Sequence, residues 1–146
     1  MQLVLLAHVG ATLFMVGLIW FVQIVHYPLF GSVGREGFAE YSQAHSRLTG
    51  LVVGPPMLVE AGTAVALVAR PPEGLPFSLP LLGLVLLAAV WLSTALLQSP
   101  QHGVLGRGFV ATSHRFLVAS NWMRTVCWTG RGFLVLLMTA ALLPPA

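Results

Sequence analysis

The chain has 146 residues, of which 57% are hydrophobic and only 8% charged, with a mean hydropathy of +0.87. A soluble domain carries about 25% charged residues to keep its surface wet, so this composition excludes an ordinary water-solvated globule and makes the lipid bilayer the first partner. The net charge of +3 comes from arginines spread between Arg35 and Arg131, with no lysine, so no dense basic patch exists to track phosphates and nucleic-acid binding is excluded.

Crossing a hydrocarbon core about 30 Å thick takes roughly 20 apolar residues. From Met1 to Gly34 there is no Arg, Lys, Asp or Glu, and the apolar part predicts a first span over residues 3–30, with Pro28 and Gly31 suited to its exit. It lacks a positive start and outruns the ~7–15 apolar residues of a secretion signal, so it reads as a retained membrane helix. The polar connection that follows holds Arg35, Glu36, Glu40, His45 and Arg47. Within it, residues 36–45 suit a short interfacial helix with Phe38 and Tyr41 on one face.

A second span is predicted over residues 48–69, with Pro55 and Pro56 near its middle, where proline kinks a helix and frees carbonyls. The Arg70-Pro-Pro-Glu-Gly-Leu-Pro run is a tight turn. A third span, residues 77–97, is the cleanest, since no charge occurs between Gly74 and Gly106. Gly132 to Leu143 is too short to cross alone, so a fourth span must start near Phe116 and carry Arg124 and Arg131 inside it. A central arginine costs about 2.5–3.5 kcal/mol on insertion scales, so both should face a partner or water. The fold class is therefore all-α: a single domain, residues 1–146, built as a four-transmembrane-helix bundle.

Arginine placement sets the orientation. Arg35 and Arg47 fall in the first connection and Arg107 and Arg115 in the third, against Arg70 alone in the second. The positive-inside rule then puts the first and third connections in the cytoplasm and both termini outside, for a multi-pass protein of the inner (cytoplasmic) membrane.

With that topology, each helix carries polar groups at one depth near the cytoplasmic end: Gln23, His26 and Tyr27, then His45, then Gln98 and His102, then His114, Asn121 and Arg124. Polar groups in membrane helices tend to face the interior and mark functional sites. His114, Asn121, Arg124, Trp128 and Arg131 fall in one stripe about 100° wide at 3.6 residues per turn. Gln98 and His102 are i, i+4 neighbours if the helix passes through Pro100. His8 lies at the opposite end and stands outside this cluster. Glu60, the only acid inside a span, needs a cation, and Arg124 and Arg131 lie within reach in depth.

These residues leave several chemistries open. His26, His45, His102 and His114 could ligate a metal, or a haem held between His26 and either His102 or His114; they could equally be interfacial groups bonded to carbonyls. No Glu-x-x-His or His-Glu-x-x-His pair favours a di-iron or zinc centre. Cys127, the lone cysteine, excludes an internal disulfide and paired-thiol redox chemistry, and reads as a small apolar residue. No P-loop, dinucleotide fingerprint or nucleophile elbow is present.

Two segments, Trp20-Phe-Val-Gln-Ile-Val-His-Tyr-Pro-Leu-Phe30 and Asn121-Trp-Met-Arg-Thr-Val-Cys-Trp-Thr-Gly-Arg131, with Pro55-Pro-Met-Leu-Val-Glu60 between them, resemble a group of uncharacterised small bacterial four-helix membrane proteins. The general build is also similar to the anthrone-oxygenase-like membrane proteins, which implies oxidation of a polycyclic, lipophilic substrate but maps no catalytic residue here. The first functional expectation is a membrane-embedded oxidoreductase or cofactor protein for a lipophilic small molecule, with the histidines as ligands or acid–base groups and Asn121 and Arg124 binding an anionic part. The alternatives are a small homo-oligomeric transporter or channel-like subunit using Glu60, or an assembly subunit of a membrane complex.

Overall fold

The structure, a computed structural model, describes residues 1–143. Four helices dominate it: α1, Gln2–Ser32; α2, Phe38–Ala69; α3, Ser78–Leu105; and α4, Ala111–Ala141. No strand occurs among the described residues. The first three helices are long and apolar enough to cross a membrane, whereas α4, with Arg115, Arg124 and Arg131, falls short of that mark.

α2 and α3 run well beyond their predicted bounds for local reasons, and α4 begins at Ala111 rather than near Phe116. The predicted interfacial segment, which starts at Phe38 rather than at residue 36, and the 48–69 span form one helix, because nothing between His45 and Thr49 breaks it. Pro55 and Pro56 lie inside this uninterrupted run. α3 continues through Pro100 to Leu105, bringing Gln98 and His102 onto the same helix. Gly37 and Gly74, at φ +78° and +80°, make the turns that lead into α2 and α3, in a region that disfavours residues with a Cβ.

The helices form a ring in which α1 touches α2 and α4, and α3 touches α4 and, more sparsely, α2. α1 and α4 approach closely at Gly132, where an added Cβ would sit 3.1 Å from a Val16 methyl carbon. One apolar core gathers Met15, Ile19, Phe30, Phe38, Met57, Val90, Leu117 and Trp128, and a second at the other end gathers Leu5, Leu67, Leu75, Val135 and Met138. The outer surface is also apolar: Leu3 is 82% exposed and Leu51 70%. A water-facing protein rarely exposes apolar surface so extensively.

Both α1 and α3 contain one widened turn. In α1 the Tyr27 N–H bonds the Val22 carbonyl, and in α3 the Ser99 N–H bonds the Thr94 carbonyl, each five residues back. Each turn lies just ahead of a proline, Pro28 or Pro100. A proline ring crowds the carbonyl four residues before it and offers no N–H, and one extra residue in the turn relieves both problems. The spacing of buried positions records the insertion: along α3 it steps from Ser93 to Gln98 without an intervening buried residue.

Candidate functional site

Widened turns of this kind recur at functional sites, and here the two carry Gln23, His26, Thr94 and Gln98. Around them lies a cavity of about 280 Å³ lined by all four helices. One end is apolar, lined by Met15, Ile19, Val53, Met57 and the Trp128 ring; the other is polar, lined by Tyr27, His45, Thr49, Gln98, His102 and Arg124.

Arg124 is the centre of the polar end. Its Nε and one terminal nitrogen donate to Asn121 Oδ1, the same terminal nitrogen donates to Tyr27 Oη at 3.3 Å, and the other donates to Thr94 Oγ1 at 3.3 Å. Asn121 is fixed in turn, donating from Nδ2 to Gln23 Oε1 at 2.8 Å, while Gln23 donates to the Val118 carbonyl. Every one of these partners is neutral. Glu60–Arg131 is the one ion pair among the described residues, so Arg124, 9% exposed, has no counter-ion among them. A buried cation without a counter-ion is costly unless a ligand supplies one.

Tyr27 and His102 form the second feature. His102 Nε2 lies 2.9 Å from Tyr27 Oη, and its buried Nδ1 has no hydrogen-bond partner. The tautomer that avoids a buried, unaccepted N–H carries its proton on Nε2. In that tautomer Tyr27 Oη accepts from both His102 and Arg124 and its own proton is free for a group bound in the cavity it lines; with the His102 proton on Nδ1, Tyr27 donates to Nε2 instead.

The remaining histidines divide. His26 Nε2 and His45 Nδ1 are hydrogen-bonded at 2.8 Å, with Thr49 Oγ1 3.0 Å from the same His45 nitrogen. His114 Nε2 donates to the Tyr27 carbonyl at 2.8 Å and does not line the cavity; it fastens α4 to α1 just before Pro28. Gln98 accepts from Ser93 and donates to Ser120, bracing α3 against α4.

As metal ligands these histidines are poorly arranged. Tetrahedral zinc with Zn–N bonds of about 2.0 Å holds two ligating nitrogens about 3.3 Å apart with no proton between them, whereas His26 Nε2 and His45 Nδ1 share a hydrogen bond at 2.8 Å. Among the described residues no group of three or more His, Cys, Asp or Glu side chains is placed to hold a metal ion.

Glu60 belongs to a separate polar layer. It is fully buried, accepts from Arg131 at 3.1 Å and from the Trp128 indole N–H at 3.0 Å, and Arg131 also donates to the Gly83 carbonyl. Arg124, also expected near Glu60, bonds Asn121 instead. In the same half of the molecule His8 Nδ1 lies 2.7 Å from Thr63 Oγ1, apart from the cavity. Helical periodicity gives no sign of the two widened turns; the signal that marks them is the Tyr27-Pro28 pair, four and five residues after Gln23, and the Ser99-Pro100 pair directly after Gln98.

No known protein family, curated protein or solved structure matches this sequence.

Proposed function

We propose that the chain is a four-pass protein of the inner membrane that holds a lipophilic small molecule in the cavity between its helices. The observation that carries this reading is the polarity of the cavity: an apolar end at Met15, Met57 and Trp128 and a hydrogen-bonding end at Tyr27, His102 and Arg124. A molecule with an apolar body and an oxygen-bearing head matches both ends at once. In this reading α4 completes the crossing because its arginines face inward, Arg131 to Glu60 and Arg124 to Asn121.

Acid–base chemistry on the head group suits the Tyr27 hydroxyl and the His26–His45 pair better than ligation does, since the two facing nitrogens of that pair are hydrogen-bonded to each other. The transporter reading rests on a water-accessible Glu60. A carboxylate at 0% exposure, held by Arg131 and Trp128, weighs against it.

The test is organic extraction of protein reconstituted in nanodiscs, followed by mass spectrometry. Wild type should yield a lipophilic compound above the lipid background, and Met57→Trp, which fills the apolar end, should lose it. An extract identical to that of empty nanodiscs would overturn the proposal.

A further inference from the structure

We infer that the molecule held in the cavity is a single-chain lipid acid, bound as its carboxylate against Arg124 with its tail toward Trp128 and Met57. The inference rests on the cavity being a binding site, and adds the charge and shape of what occupies it.

Charge comes first. Arg124 is buried, lines the cavity and touches only neutral groups, and the one ion pair among the described residues is made elsewhere. A guanidinium has five N–H donors. Asn121 takes one from Nε and one from a terminal nitrogen, Tyr27 takes the second from that nitrogen, and Thr94 takes one from the other. One N–H remains. Beside it stands the Tyr27 hydroxyl, whose oxygen accepts from Arg124 and whose proton is free to donate when His102 carries its own proton on Nε2. Two free donors, one of them on a cation, match the two oxygens of a carboxylate, and charge-assisted hydrogen bonds of this kind are about twice as strong as neutral ones.

Shape comes second. At about 280 Å³ the cavity is of a size that suits one acyl chain. Its apolar walls belong to Met15, Ile19, Val53 and Met57, and methionine adapts to a flexible chain. The exposed lining residues among those described, Ser46 and Gly50 of α2 and Ser99 of α3, lie on the side where those helices touch most sparsely. That side opening gives an amphiphile a route from the lipid.

The test is isothermal titration of the full-length protein in nanodiscs with decanoate and with decanol, which share a tail and differ in charge. Wild type should bind decanoate at least tenfold more tightly than decanol. Arg124→Gln should erase that preference while decanol still binds. As a second variant that keeps the guanidinium and its packing, Asn121→Asp places a carboxylate against Arg124 and should also erase the preference. Equal binding of the two probes by wild type, or a preference that survives both variants, overturns the acid. If neither probe binds, the cavity is no lipid site and the proposed function falls with it.

Discussion

The indole N–H of Trp128 donates to Glu60 Oε2 at 3.0 Å, while the face of the same ring lies 5.9 Å from the Arg124 guanidinium carbon. One side chain thus serves both polar layers of the protein. Its edge completes the carboxylate's hydrogen bonding, and its ring closes the apolar end of the cavity. The ion pair is therefore the rigid floor on which the cavity is built.

Trp128→Phe keeps an aromatic ring at that floor but removes the donor to Glu60. A buried acceptor that loses one partner costs about 1–3 kcal/mol, so the thermal midpoint in detergent should fall by several degrees. An unchanged midpoint would mean that the indole contributes packing alone.

Removing one member of the Glu60–Arg131 pair leaves the other buried and charged, at a cost of about 3–5 kcal/mol. Glu60→Leu and Arg131→Met should each destabilise to that extent, and the double variant by clearly less than their sum. The double-mutant cycle is read from denaturant unfolding. Additive losses would show that the two charges do not interact.

Gly50 lies at the exposed side of the cavity, and a Cβ added there meets nothing within 4 Å. Gly50→Trp should therefore fold normally yet cover the opening between α2 and α3. Association of a fluorescent lipid acid, followed by stopped flow, should slow at least tenfold with little change in stability. An unaltered rate would place the entrance elsewhere.

The proposed orientation is tested by labelling single cysteines in intact cells and inverted vesicles, in a Cys127→Ala background. Cysteine at Gly34, beside Arg35, should react from the cytoplasmic side, and cysteine at Glu73 from the opposite side. Reversed labelling would invert the topology and with it the side of the membrane that the polar end of the cavity faces.

Much of the helical layout can be read from the sequence, because lipid makes each charge informative: four helices emerge from where Arg35, Arg70 and Arg107 interrupt apolar runs. Depth also suggested that Gln23, Tyr27, His102, Asn121 and Arg124 belong together, and the structure joins them in one hydrogen-bond network. Depth does not specify partners, however. Arg124 and Arg131 lie seven residues apart on one face, and only packing decides that Arg131 takes Glu60 while Asn121 takes Arg124. His114 had the right level but turns to the Tyr27 carbonyl. The widened turns were illegible to any periodic reading, since each shifts by one residue the frame in which inward positions are counted.

Those turns also bear on how the chain would be compared with any relative. An insertion in a helix normally surfaces as a longer loop, but the extra residue at Val22–His26 and at Thr94–Gln98 is absorbed inside a helix. A homologue with a regular turn at either place would be one residue shorter there, with its loops unchanged. An alignment that bars gaps from helices would push that difference into the neighbouring connection. Every position in between would then be paired with the wrong counterpart, Tyr27 or His102 among them, and an equivalent site would look unrelated.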